Sequence, residues 1–263
     1  MHHHAPLAAM LSAATVLAAL ATGPTRLVGE AKAPRPDTSS PITVVQDEKA
    51  GLLDARIDGN TAFTFHYGQD VDLPYIVPRS PSGKPLTVVQ TNPYPHHRSL
   101  WFADTVQLAG QRKVSFYNAY YSRADKKDPN SPFRDRIRVV KIEPPRAAEA
   151  LPVAAVKVKL LWEMDRKTPV LDESRVMILE PRGRGEYLLT LTFTVTAGYG
   201  DVAFVSDAVH YAWPYVRMSP TFSVDKGGTM TSSEGGVNQK GTHNKAAWWI
   251  DYSNTVGGVT EGL

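Results

Sequence analysis

The chain contains no cysteine. That excludes disulfides, thiolate zinc sites and a lipid-anchored amino-terminal cysteine together. It also lacks a strong charge of one sign. Its 29 basic and 26 acidic residues leave a formal net charge of +3, and both signs are interspersed in runs such as RADKKD (123–128) and RDRIR (134–138). A mixed, solvated surface accounts for such runs better than a phosphate-tracking stripe, so no nucleic-acid partner is expected. Phosphate loops of the GxxxxGK[ST] or GxGxxG type are missing, as is the HExxH spacing of common metal sites, and the adjacent His96 and His97 form no HxH pair. No metal and no cofactor are therefore expected. Long apolar runs are missing too, with one exception at the amino terminus.

That exception is LAAMLSAATVLAALA, Leu7 to Ala21. It is short for a bilayer span and ends in Ala19-Leu20-Ala21, whose small first and third residues suit signal peptidase. Residues 1–21 are expected to be a signal peptide, cleaved before Thr22. Residues 22–41 (TGPTRLVGEAKAPRPDTSSP), rich in Pro, Ser and Thr, read as a linker. An exported chain without disulfides fits a bacterial periplasm or the exterior, with no membrane contact once the leader is removed.

From Ile42 onward, period-two alternation dominates. Val156, Val158 and Leu160 share one face with Lys157 and Lys159 opposite, and leucine and phenylalanine alternate with threonine over Leu189 to Val195. Phe63 and Phe65 alternate within TAFTFHYG, and ITVVQDEKAGLLDARIDG holds two short runs about a turn. Such alternation predicts half-buried antiparallel strands. Twenty prolines and nineteen glycines punctuate the runs, and no amphipathic helix stands out. The expected fold is all-β, a large antiparallel β-sandwich formed by residues 42–263. Its last segment, ending at Leu263, reads as a turn leading toward another strand, so the domain is expected to be truncated at its carboxyl end.

Three stretches carry candidate chemistry. In NPYPHHRSLWFAD (92–104), Pro95 keeps the chain extended. On a regular strand His96 would then share a face with Arg98, and His97 with Ser99 and Trp101. Histidine with arginine suits an oxygen-rich or anionic ligand; histidine with tryptophan suits a sugar ring. A structural pair, a substrate contact and a metal ligand are the open alternatives. In DAVHYAWPYVRMSP (207–220), His210, Tyr211, Trp213, Tyr215 and Arg217 crowd around Pro214, which bends the chain at a sheet edge. In TMTSSEGGVNQKGTHNKAAWWIDYS (229–253), Glu234 precedes a Gly-Gly turn and is followed by Asn238, His243, Trp248, Trp249 and Asp251.

Taken together, YPHHRSLWFAD, HYAWPYVRMS and GGTMTSSEGGVNQ…AAWWIDYS resemble the bacterial DUF6807 proteins, often labelled the PmoA family or "methane oxygenase PmoA". Pro95 to Phe102 match the His-His-Arg string, and Ser232 to Gly235, Asn238, Trp249, Asp251 and Tyr252 match the later segments. The oxygenase label suits a multi-span membrane subunit, which this sequence is not. The resemblance instead implies a supersandwich of the galactose-mutarotase type and a carbohydrate or glycoside ligand.

The functional expectation is an exported carbohydrate-active protein acting on a glycoside or modified sugar, as a hydrolase, lyase or epimerase. His96 or His97 would shuttle a proton, with Glu234 as acid–base partner. Arg98 and Arg217 would hold a carboxylate or ring oxygens, and Trp101 or Trp249 would stack on the ring. His210, Tyr211, Asn238 and Asp251 would complete the binding wall. Alternatives are a non-catalytic carbohydrate-binding module and a histidine-ligated metal enzyme.

Overall fold

A computed structural model describes residues 41–118, 134–143, 146–147, 153–205 and 214–263. The expected leader and nearly all of the linker lie outside them, as do His210 and Tyr211. Among the described residues, no helix is long and apolar enough to cross a membrane.

The structure is an all-β sandwich. One sheet has six strands in the order β1-β2-β3-β4-β7-β16. These are β1 (Ile42–Asp47), β2 (Leu52–Ile57), β3 (Asn60–His66), β4 (Tyr75–Pro78), β7 (Leu100–Trp101) and β16 (Tyr215–Val216). The facing sheet runs β10 (Arg136–Ile142), β12 (Ala154–Met164), β13 (Thr168–Gly183), β14 (Glu186–Thr196), with β11 (Arg146–Ala147) also paired to β12. Three smaller antiparallel groups complete the described fold. β5 (Val89–Thr91) pairs with β6 (Tyr94–Arg98), β8 (Thr105–Leu108) lies between β9 (Lys113–Ser115) and β15 (Val202–Phe204), and β17 (Thr229–Ser232), β18 (Ile250–Val256) and β19 (Val259–Gly262) form a meander. The end of the chain, expected to be a turn leading toward a strand, is itself strand β19, closed on β18 through Gly257-Gly258.

Alternation dictates which faces meet. On β12, Val156, Val158, Leu160 and Trp162 are buried while Lys157 and Lys159 are exposed. Along β14, Tyr187, Leu189, Leu191, Phe193 and Val195 turn inward and the intervening threonines outward. Phe63 and Phe65 on β3 come from the opposite sheet, and one continuous hydrophobic cluster joins both layers. Ring contacts such as Phe102–Phe193, with centroids 4.4 Å apart, stitch it together.

β13 escapes the alternation argument. Its inward face carries Glu173 and Arg175 beside Met177 and Leu179. Pro169 and Pro181 lie near its two ends, Pro169 opposite Glu163 and Pro181 opposite Tyr187, each next to a shift in register. Prolines and charges both argue against a central strand, yet β13 is the central partner of β12 and β14. A proline at a bulged strand end removes little ladder bonding, and a charge can be buried if its partner is buried beside it.

Candidate functional site

The first motif lies at a strand switch. β6 pairs with β5, whereas β7, one residue later, pairs with β4 and β16 in the six-stranded sheet. Ser99 makes the change. It is fully buried and has φ of 61°, a left-handed conformation uncommon outside glycine and characteristic of strained, constrained positions. Its backbone is held on both sides: Ser99 N–H donates to Val88 O at 3.1 Å, and Arg217 N–H donates to Ser99 O at 2.7 Å. Val88 N–H in turn donates to Arg217 O at 2.9 Å, and the hydroxyls of Thr87 and Ser99 are bonded to each other. This knot carries Arg217, distant in sequence, to the histidine pair.

The same irregularity corrects the strand-alternation expectation for the histidines. Register shifts between Val89 and Thr91, where Gln90 has φ of 56°, so β6 does not keep a regular pleat. Rather than pointing to opposite faces, the His96 and His97 rings lie 4.6 Å apart, edge to face. His96 also meets the Tyr117 ring at 5.2 Å, and His97 stacks on Tyr94 at 4.9 Å and lies 6.0 Å from Trp101. Trp101, Tyr117 and Tyr215 are mutual neighbours, with Trp101 stacked on Tyr215 at 5.0 Å and Tyr117 4.8 Å from Tyr215. Trp101 is buried, and its indole nitrogen has no hydrogen-bond partner among the described residues.

The charges that act on His97 from the described residues named here are positive. The Arg217 guanidinium lies 5.8 Å from the centroid of the Tyr94 ring, a cation–π contact. Arg98 is buried and donates from Nη1 to His97 O at 3.3 Å. His97 Nδ1 shares a 3.0 Å hydrogen bond with Thr91 Oγ1. Burial pushes the His97 imidazole down to about 4, helped by the positive charges of His96, Arg217 and Arg98. His97 is therefore neutral at neutral pH in the free protein, with one ring nitrogen able to accept a proton. In an NMR titration, its ring resonances should stay in the neutral form from pH 8 to pH 5 and move only near pH 4. A midpoint at the ordinary 6.5 would show that the ring is solvated rather than packed as described.

The third motif forms a different cluster. Glu234 sits in an exposed turn, and its carboxylate accepts a 3.1 Å bond from Ser233 Oγ. Ser233 N–H donates to Trp249 O at 3.1 Å, and Trp248 N–H donates to Ser233 Oγ at 2.8 Å. Trp248 is 92% exposed and Trp249 55%. Asn238, at φ of 52°, opens the short helix α1 (Asn238–Thr242), and its side-chain oxygen accepts from Met230 N–H at 2.9 Å. Asp251, on β18, accepts a 2.9 Å bond from Ser253 Oγ. Among the described residues, no hydrogen bond, ion pair or ring contact joins Glu234 to His96 or His97.

The structure thus brings together His96, His97, Arg98, Trp101 and Arg217. Glu234, Asn238, Trp249 and Asp251 gather at the β17–β19 meander. Tyr94, Tyr117 and Thr91 complete the first cluster without having been singled out by sequence. Tyr94 lay inside the quoted motif, but Tyr117 and Thr91 lie in stretches with no motif at all. Among the described residues, no group of three or more His, Asp or Glu side chains is placed to hold a metal ion.

Residues 53–263 match the model of DUF6807, a family of unknown function, and the chain belongs to that family. No curated protein and no solved structure matches it.

Proposed function

We propose that this DUF6807 member is an exported carbohydrate-active protein that acts on a glycoside or modified sugar at the His96–His97 cluster. One observation carries the reading. Aromatic rings from three segments (Tyr94, Trp101 and Tyr117) contact the two imidazoles, Tyr215 backs Trp101 and Tyr117, and the Arg217 guanidinium lies over Tyr94. A pyranose has the complementary build, with apolar C–H faces for aromatic rings and a rim of hydroxyls for imidazole and guanidinium. The strained Ser99 backbone at the centre of the cluster supports a functional rather than a purely structural role.

In this reading the histidines handle the proton. His97, neutral and hydrogen-bonded to Thr91, is the acceptor, and His96, in ring contact with it, is the neighbour through which charge is redistributed. Glu234 keeps its proposed acid–base role only through the ligand, since its carboxylate lies in the exposed turn of the β17–β19 meander. Export, with removal of residues 1–21, and a supersandwich of the mutarotase type belong to the same proposal.

The test is incubation of the purified protein with plant and algal oligosaccharides, followed by mass spectrometry and by NMR of the histidine rings. Gain of water marks a hydrolase, an unsaturated product a lyase, and an isomer of unchanged mass an epimerase. Unaltered glycan together with shifted His97 resonances marks a binding module. Glycans that leave the His97 and Trp101 signals unmoved would sink the reading.

A further inference from the structure

The aromatic cluster does not end at Trp101. Trp101 on β7 stands opposite Tyr75 of β4 and Tyr215 of β16, and Tyr75 stands opposite His66 of β3. Residues directly opposite one another in antiparallel strands share a face. His66, Tyr75, Trp101 and Tyr215 therefore form one row across four neighbouring strands. Ring contacts mark both ends of it: His66 stacks on Tyr75 with centroids 4.5 Å apart and planes at 11°, and Trp101 stacks on Tyr215 at 5.0 Å. Their strand neighbours Phe65, Ile76 and Leu100 alternate to the other face and belong to the main core.

The row changes character along its length. Trp101 and Tyr215 are buried, in ring contact with Tyr117, whereas Tyr75 and His66 are only half-buried. Burial pushes the Tyr75 phenol up and the charge of Arg98, from β6, opposes it, so this stretch adjoins the histidine cluster. Beside it stands a polar row. Asp54 and Thr64 face each other on β2 and β3; Thr64 Oγ1 donates to Asp54 Oδ1 at 2.7 Å, and Arg56 Nη2 donates to Asp54 Oδ2 at 2.8 Å. Burial opposes the ionisation of Asp54, but the bonds from Arg56 and Thr64 outweigh it and hold the carboxyl below its usual range. Burial also pushes the His66 imidazole down, although the Asp54 charge pulls against it. Arg56 Nε and Trp101 Nε1 are buried donors with no hydrogen-bond partner among the described residues. Nearly all such groups in native proteins are paired, so each calls for an acceptor from elsewhere.

We propose that the ligand face of this protein runs from His97 across Trp101 and Tyr75 to His66, and that it takes an oligosaccharide in at least two subsites. This deepens the carbohydrate reading above and rests on it. The length of the row decides between a single sugar and a chain. Neighbouring strands lie about 4.8 Å apart, so the row from His66 to Tyr215 spans roughly 14 Å, well beyond one pyranose ring. One sugar unit takes the contacts at His97 and Trp101, and a second meets the half-buried His66–Tyr75 pair. There the apolar ring faces of the stack lie next to an imidazole, a hydroxyl and a carboxylate, the mixture of donors and acceptors that a sugar rim matches. Hydroxyl oxygens are also the acceptors that Arg56 and Trp101 lack.

The experiment is an NMR titration of the histidine rings with linear trimers of glucose, galactose, mannose and xylose, beside the four monosaccharides. At least one trimer is expected to bind tenfold or more tightly than its monosaccharide and to shift the resonances of both His66 and His97. His66→Ala and, separately, Tyr75→Ala should each bring the affinity for that trimer down to the level of the monosaccharide. Because the wild-type comparison needs no variant, misfolding of either substitution leaves the test intact. A trimer that binds no more tightly than its monosaccharide, or that moves His97 and leaves His66 in place, overturns the extended face and leaves the carbohydrate reading standing. A trimer that moves His66 alone shows two separate sites and overturns the continuous one. If none of these sugars moves either histidine, the carbohydrate reading falls and the inference falls with it.

Discussion

Replacing Glu173 by alanine is expected to lower the free energy of unfolding by about 3–5 kcal/mol. Glu173 and Arg175 stand two residues apart on β13 and so project from the same face into the space between the sheets. Their side chains are buried to 0% and 1% exposure, and Arg175 Nε donates to Glu173 Oε1 at 2.8 Å. The other carboxylate oxygen accepts from Trp162 Nε1, also at 2.8 Å. Phe193 and Phe65 complete the surroundings of the guanidinium, with ring centroids 5.1 and 5.9 Å away. Arg175 Nη2 already lacks a hydrogen-bond partner among the described residues.

Removing the carboxylate strands a positive charge among aromatic rings and leaves the indole N–H without an acceptor. Both consequences act in the folded state alone, because water satisfies the same groups after unfolding. The pair as such contributes far less than its loss would suggest, since burying two ions offsets most of their attraction. Glu173→Leu combined with Arg175→Met should therefore recover most of the stability lost by Glu173→Ala. Urea unfolding of the three variants measures this. A single-variant loss below about 1 kcal/mol would mean that water or another acid reaches Arg175.

Replacing Phe222 by alanine should have an effect of similar size but confined to one end of the molecule. Phe222 is fully buried with Leu86 and Met218 in a small cluster separate from the main core, and Tyr252 of β18 packs on it. Truncating a buried phenylalanine costs about 3–5 kcal/mol through lost burial and the cavity left behind. Polar contacts among the described residues tie the β17–β19 meander to the rest as well. Asn254 Nδ2 donates to Thr221 O at 2.7 Å, and Glu261 accepts from Ser82 N–H at 2.8 Å, Ser82 Oγ at 2.7 Å and Lys84 Nζ at 2.8 Å. Hydrogen exchange in Phe222→Ala should accelerate by about a hundredfold or more across residues 229–262, while amides of β12–β14 keep their protection. Uniform acceleration across the molecule would show one cooperative unit instead.

Glu261 adds a pH dependence to the same attachment. Burial opposes its ionisation, but hydrogen bonds from Lys84, Ser82 and Ser80 outweigh it and hold the carboxyl down at about 2. A carboxyl lower in the folded than in the unfolded chain contributes stability that is complete above the unfolded value of about 4.5. That contribution is lost as pH falls toward 2. The meander should accordingly be the first part to open in acid, and Phe222→Ala should move that opening to higher pH.

What the sequence alone determined about this protein is its class and most of its strands. Alternation on β12 and β14, and the turns between them, express one local rule: successive side chains on a strand face opposite ways, so a sheet with one buried face writes its pattern directly into the chain. Membership of a family and the concentration of candidate chemistry near His96 and His97 were legible for the same reason, as short contiguous motifs.

Tertiary structure alone decided the rest. DESR, Asp172 to Arg175, reads as a solvated polar run, because a buried charge is intelligible only beside its partner; Trp162, whose indole completes the buried network, stands on a neighbouring strand. Tyr117 joins the histidines from a stretch with no motif, and Arg217 reaches them through backbone bonds to Ser99 and Val88. The left-handed turn at Ser99 is likewise invisible beforehand, since serine does not favour it and only the bonds on either side hold it there. Where a residue's environment is set by its neighbours in sequence, the chain declares it; where it is set by a strand switch or by packing across two sheets, the fold must first bring the partners together.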